Sequence, residues 1–218
     1  MTSPPLPSEF FIFVNPTLPM TRHNFELTKT FTSRFAELLQ TAEGQQKVDQ
    51  FEVDPMPFKQ NPDQYEFLSP FVVNLQKELW IEWEAERVRR DVAPQAPGRL
   101  SALYAFGDEA TCREVAANYK WDLGSVRLFK INTNFKWRAV RVNMEVVSLM
   151  RSLYPRASWQ TDDANMIWSH YWLGGEDLPL DIPSSQKLGE RETFHSGVIW
   201  EWLIEGQVVC TDDAPVFP

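Results

Sequence analysis

The sequence predicts an α+β protein. Three observations predict it: a helical N-terminal third, short apolar strands alternating with helices after residue 97, and no internal repeat. The chain has 218 residues, a length that suits one domain or one domain with an extension. Its 43% hydrophobic content includes 15 Phe, 9 Trp and 5 Tyr, ample for a core, and excludes disorder over the whole chain.

Residues 1–22 carry prolines at 4, 5, 7, 16 and 19 around one apolar stretch, Glu9–Val14. This reads as an extended arm holding one short strand or docking segment. Residues 24–51 read as a helix, with Phe31, Phe35, Leu38 and Leu39 at helical spacing and Asn24 at its start. Residues 52–70 hold prolines at 55, 57, 62 and 70 and read as a connector. From Phe71 to Arg90 the pattern is helical again: Val72, Leu75, Leu79 and Trp83 share a stripe, and Glu86 stands four before Arg90. Pro94 and Pro97 stop that helix.

Leu100–Phe106, bounded by Gly98 and Gly107, reads as a strand. Asp108 can cap a following helix that turns Cys112, Val115, Ala116 and Tyr119 inward. Residues 126–132 and 137–142 read as strands, and Asn143 caps a helix through Tyr154. A further helix from about Asp162 to Trp172 ends at Gly174 and Gly175. Residues 177–196 read as a polar, proline-containing loop. The closing GVIWEWLI and QVVC, around Glu205 and Gly206, read as a terminal hairpin.

Charge narrows the function. Against 21 Lys and Arg stand 30 Asp and Glu, for a net charge of −9. That balance argues against sequence-blind binding to nucleic acid or to an anionic membrane, which needs a basic footprint. The first basic residue is Arg22, so no secretory signal is expected, and no apolar run approaches the roughly 20 residues that span a bilayer. Cys112 and Cys210 are too few for a disulfide framework, which fits a reducing cytoplasm. His23, His170 and His195 are scattered, and no metal is expected.

No phosphate-binding loop, dinucleotide fingerprint, zinc-protease motif or nucleophile elbow occurs. Two charged residues stand out instead. Alternation in GVIWEWLI puts Val198, Trp200, Trp202 and Ile204 on one face, and Ile199, Glu201 and Leu203 on the other. A strand apolar on both faces does not casually carry a carboxylate, since an unpaired buried charge costs several kcal/mol. An edge strand with Glu201 in solvent is the alternative. Arg99 opens the strand that follows it, where a guanidinium can receive a phosphate, pair with an acid, or stand solvated in a loop.

The order of the pieces carries a resemblance. A glutamate- and arginine-rich helix (residues 78–92) runs into PGRLSALYAF (97–106), then a helix, then Tyr171, Trp172, Gly175 and Glu176, and last Glu201-x-Leu203-x-x-Gly206. Over residues 78–209 this resembles small bacterial and phage domains with the ADP-ribosyltransferase fold. The resemblance implies a split, mostly antiparallel sheet around a cleft, with residues 1–77 an arm and helical extension packed on a core of 78–218. It implies that Glu201 is the catalytic acid and that Arg99, Ser101, Tyr104, Tyr171 and Trp172 bind NAD, with Arg99 on the pyrophosphate or ribose. NAD would be the co-substrate, and a protein or nucleic acid the acceptor. An antitoxin or immunity protein would suit such a toxin, effector or phage-conflict enzyme. Position 199 is Ile, where many protein-modifying members carry Glu or Gln. The competing expectation is a non-catalytic interaction protein that keeps the fold and binds a protein partner.

Overall fold

The computed structural model describes residues 5–14, 17, 19–53, 70–184 and 189–217. In chain order the elements are β1 (Phe10–Phe13), α1 (Pro19–Thr28), β2 (Thr30–Thr32), α2 (Ala42–Asp49), α3 (Pro70–Val92), β3 (Leu103–Ala105) and α4 (Glu109–Tyr119). There follow β4 (Val126–Ile131), β5 (Arg138–Asn143), α5 (Met144–Leu153), α6 (Thr161–Trp172), β6 (Pro179–Pro183), β7 (Arg191–His195), β8 (Trp200–Glu205) and β9 (Gln207–Asp212). Helices and antiparallel strands are mixed, as the α+β expectation requires.

Two compact units interleave in sequence: Met1–Glu52, Ser101–Arg141 and Trp200–Pro218 form one, and Val53–Leu100 with Val142–Ile199 the other. α3 runs through residues 77 and 78 as one helix.

Two sheets, ordered β1-β4-β9-β2 and β3-β8-β5, lie in the first unit except for Val142 and Asn143 at the end of β5. The pairs β1–β4, β4–β9, β2–β9 and β3–β8 are all antiparallel. Phe11 bridges to Phe106 through two 2.8 Å backbone hydrogen bonds, which joins the arm to the chain just after β3. The arm is thus a working strand. Phe10, Ile12 and Val14 alternate into a core with Ala105, Phe129, Trp202, Ile204 and Val208. Each large apolar side chain so buried contributes about 1.5–3 kcal/mol.

The expected helix over 24–51 is interrupted. α1 ends at Thr28, Lys29 takes a left-handed φ of 54°, and Thr30–Thr32 pairs with β9. The local chemistry explains the break: the Thr28 hydroxyl accepts from the Thr30 amide at 3.2 Å, and the Thr30 hydroxyl donates to the Thr28 carbonyl at 2.9 Å. Such bonds compete with the helix ladder, and β-branched residues favour a strand. Phe31 then stacks on Phe129 with ring centroids 5.3 Å apart.

The terminal hairpin is also corrected. β8 and β9 flank Gly206, yet β8 lies between β3 and β5 while β9 lies between β4 and β2. The chain steps from one sheet to the other at that glycine. Gly206 has φ 142°, and a Cβ there would sit 2.8 Å from the Cβ of Trp137. Ser33 clamps the step: its amide donates to the Gly206 carbonyl at 2.9 Å, and its hydroxyl accepts from the Gly206 amide at 2.8 Å. Gly206→Ala is expected to cost about 1–3 kcal/mol through backbone strain. A thermal melt should show the loss as about 2–4 °C per kcal/mol for a chain of this size; an unchanged melt would contradict it.

α4 forms as expected. The Asp108 carboxylate accepts from the Thr111 amide at 2.8 Å, Cys112, Val115 and Ala116 are buried, and Tyr119 is half-buried. Burial, with Asp108 and Glu109 nearby, pushes the Cys112 thiol up to about 12. At pH 8 only about one molecule in 10⁴ then carries the reactive thiolate. A thiol reagent should modify Cys112 only after unfolding, and labelling of the native chain would refute this. Because the folded chain holds the proton more tightly, the stability linked to Cys112 is complete below the ordinary thiol value near 9. It is lost as pH rises from there to about 12.

In the second unit, α3 runs through the expected region; the side chains of Val72, Leu75 and Leu79 lie outside the described residues, as do residues 54–69 of the expected connector. Ile81, Ala85 and Val88 form its buried stripe where side chains are described. α5 starts at Asn143, whose carbonyl oxygen accepts from the amides of Glu145 and Ile199, each at 3.1 Å. Its amide nitrogen donates to the carbonyls of Glu176 and Gly197, each at 2.8 Å. A fully buried asparagine is thereby satisfied on both sides. The expected loop over 177–196 is instead the antiparallel hairpin β6–β7. Leu180 and Ile182 are buried between exposed neighbours, the period of a half-buried strand. Residues 185–188 of that stretch lie outside the described residues.

Candidate functional site

The expected site residues divide between the two units. Arg99, Tyr171 and Trp172 belong to the second, and Ser101, Tyr104 and Glu201 to the first.

In the second unit α3 lays Glu82, Glu86 and Arg89 along one side at helical spacing, all buried. Arg99, 8% exposed, meets Glu82 with both arms of its guanidinium, Nε at 2.8 Å and Nη2 at 3.3 Å. Its Nη1 donates to the Tyr171 hydroxyl. Arg151 Nη2 approaches Glu82 Oε1 at 3.4 Å. Of the roles open to Arg99, pairing with an acid is the one present. Its cation also lies 5.4 Å from the centroid of the Tyr171 ring.

Tyr171 is fully buried between Trp168 and Trp172, edge to face with each. Trp172 Nε1 donates to the Ala85 carbonyl at 2.7 Å, which holds α6 against α3. The glutamate- and arginine-rich stretch is equally inward: Arg89 binds Glu86 at 2.7 and 2.8 Å and reaches the carbonyls of Pro94 and Ala96. Arg90 Nε donates to Glu86 at 3.1 Å.

In the first unit Glu201 is 5% exposed in β8, the middle strand of its sheet. The edge-strand alternative is therefore set aside. Ser101 and Tyr104 differ in exposure. The buried Ser101 donates its hydroxyl to Glu205 Oε1 at 2.8 Å, whereas Tyr104 is 40% exposed and opposite Leu203. Glu205, beside the turn of the expected hairpin, is not solvated there but 2% exposed. β8 continues through it without a solvent-facing turn, Ser101 answers one oxygen, and Arg138 Nε lies 4.0 Å from the other. Arg138 is held in turn by Asp49 at 2.6 Å. Only the fold brings Ser101 and Asp49 to this strand; no spacing in the sequence announces it.

His170 and His195 are both hydrogen-bonded. His170 Nε2 lies 3.1 Å from the Glu176 carbonyl, and His195 Nδ1 is 2.5 Å from Asp177. The His195 hydrogen bond, the Gly197 amide and the nearby charge hold the Asp177 carboxyl below its ordinary value.

A pocket of about 80 Å³ opens in the second unit among Trp80, Glu84, Tyr154, Trp159 and Trp168. Arg99, Tyr171 and Trp172 are not among its lining residues. Among the described residues no group of three or more His, Cys, Asp and Glu is placed to hold a metal ion. No described helix is long and apolar enough to cross a membrane.

No protein-family model matches the chain, and no curated protein matches it.

Proposed function

We propose that the chain is an NAD-dependent mono-ADP-ribosyltransferase, acting in the cytoplasm as a toxin, effector or phage-conflict enzyme on a protein or nucleic-acid acceptor. The supporting observation is Glu201, a carboxylate kept at 5% exposure in the middle strand of an antiparallel sheet. It occupies the position that the resemblance gives to the catalytic acid.

In the proposed reaction the bond between the nicotinamide nitrogen and ribose C1′ breaks, and its electron pair leaves with neutral nicotinamide. C1′ then bonds to a nucleophilic atom of the acceptor, which releases a proton to solvent. Positive charge gathers on the ribose in the transition state, so a fixed carboxylate in dry surroundings lowers the barrier.

One observation favours a second reading, a non-catalytic interaction protein. Both arms of Arg99 and the Tyr171 hydroxyl are engaged inside the fold.

Release of nicotinamide from NAD, followed by chromatography with the full chain and a cell extract as acceptor source, separates the two. Turnover above the protein-free control supports the transferase. Its absence, with and without extract, leaves the interaction protein.

A further inference from the structure

The aromatic pocket of the second unit has no part in the chemistry above. Four of its ten lining residues are aromatic, three indoles and a phenol; Glu84 is the one charged residue among them, and Gln160 and Thr161 are the other polar ones. Trp168 is fully buried and rigid against Tyr171. Trp159 is pinned by its Nε1, which donates to the Tyr154 carbonyl at 3.2 Å. Trp80 is 49% exposed, so one wall of the pocket meets solvent. Burial and the charge of Glu84 raise the Tyr154 hydroxyl above its ordinary value, which keeps that wall neutral.

Aromatic faces present negative potential and attract cations. Glu84 adds to that field rather than opposing it. Arg87 pairs with this carboxylate, but both of its bonds, at 3.0 and 2.7 Å, end on Oε2 and neither on Oε1. A third Arg87 bond draws the guanidinium toward Asn165 at 2.8 Å. An anion would meet the carboxylate and the π faces together, both repulsive. A bare primary ammonium would have to exchange the water on three N–H donors for the oxygens of Glu84, Gln160 and Thr161, at a desolvation cost. A methylated ammonium has fewer or no donors to satisfy and buries its methyl groups against the rings.

Size agrees. About 80 Å³ lies between the ~10–15 Å³ that one water needs and the ~150 Å³ of a cavity that accepts benzene. It suits a compact head group whose remainder leaves through the mouth.

We propose that this pocket binds a methylated ammonium head group, carried by a free small molecule or by a methylated lysine side chain. The test titrates the full chain with choline and with its uncharged analogue, in which carbon replaces the nitrogen, and follows the tryptophan indole N–H signals by NMR. Choline should saturate and shift indole signals, and the analogue should bind about 10-fold more weakly, within the range of cation–π discrimination.

Trp80→Ala, at an exposed position, should weaken choline binding about 10-fold, and Trp80→Phe should recover part of it. A trimethyllysine peptide run beside its unmodified form identifies the source. Tighter binding than choline points to a side chain, and equal or weaker binding to a free molecule. Equal affinity for choline and its uncharged analogue, no saturable binding of either, or an unchanged affinity in Trp80→Ala would each overturn the proposal.

Discussion

Arg99→Ala is expected to lower the unfolding free energy by about 3–5 kcal/mol, the range for removing one partner of a buried ion pair. The loss comes less from the attraction removed than from the charge left behind. Glu82 is buried, and without Arg99 the cation left beside its carboxylate among the described residues is Arg151, 3.4 Å away on a half-exposed side chain. The Tyr171 hydroxyl loses its guanidinium donor in the same step. Arg99→Lys should recover little, because a single ammonium cannot meet both oxygens of Glu82 and the phenol together. Denaturant unfolding of both variants checks this. The double variant Arg99→Ala with Glu82→Ala should cost less than the sum of the two single changes, since the pair is coupled. An Arg99 that only gripped a ligand would leave stability unchanged.

Under the proposed transferase reaction, Glu201→Gln is expected to lower NAD cleavage by roughly 10²–10³-fold, the effect of removing one preorganised electrostatic group. Bound NAD carries its positive charge on the nicotinamide ring, and the transition state moves it to the ribose. A carboxylate directed at the ribose therefore favours the transition state over the bound substrate, and this raises turnover. Glutamine keeps the shape and some hydrogen bonding but not the charge. Glu205→Gln cannot serve as the neutral control. It disturbs a buried carboxylate bonded to Ser101, with an expected stability cost of about 1–3 kcal/mol. Glu109, with its side chain 57% exposed, is the acid to change instead, and Glu109→Gln should leave both activity and stability as they are.

The elements with strong local signals were legible in the chain. Asp108 and Asn143 announce their helices because a cap is a local bond between a side chain and an amide two or three residues on. Apolar neighbours on both sides of its strand raised burial of Glu201 beside an exposed edge strand, and only its place in the middle of the sheet decides for burial. What stayed hidden depends on distant partners. β8 and β9 look like a hairpin, since adjacent strands around a glycine usually pair, and only the competing edges of β3, β5, β4 and β2 draw them apart. Arg99 and Glu82 are 17 positions apart, across the proline-bounded end of a helix, and no pattern in sequence joins them. The β6–β7 hairpin was readable from the alternation of Leu178, Leu180 and Ile182, but Pro179 and Pro183 carry a loop signal.

Transfer of label from NAD tests the function most directly. The full chain, Glu201→Gln and Glu109→Gln are each incubated with NAD labelled in its adenosine portion and with a cell extract, and the labelled product is identified by mass. An ADP-ribosyltransferase predicts an added ADP-ribose on a macromolecule with the native chain and Glu109→Gln, and roughly 10²–10³-fold slower labelling with Glu201→Gln. Full labelling by Glu201→Gln, or no labelling by the native chain, would contradict it.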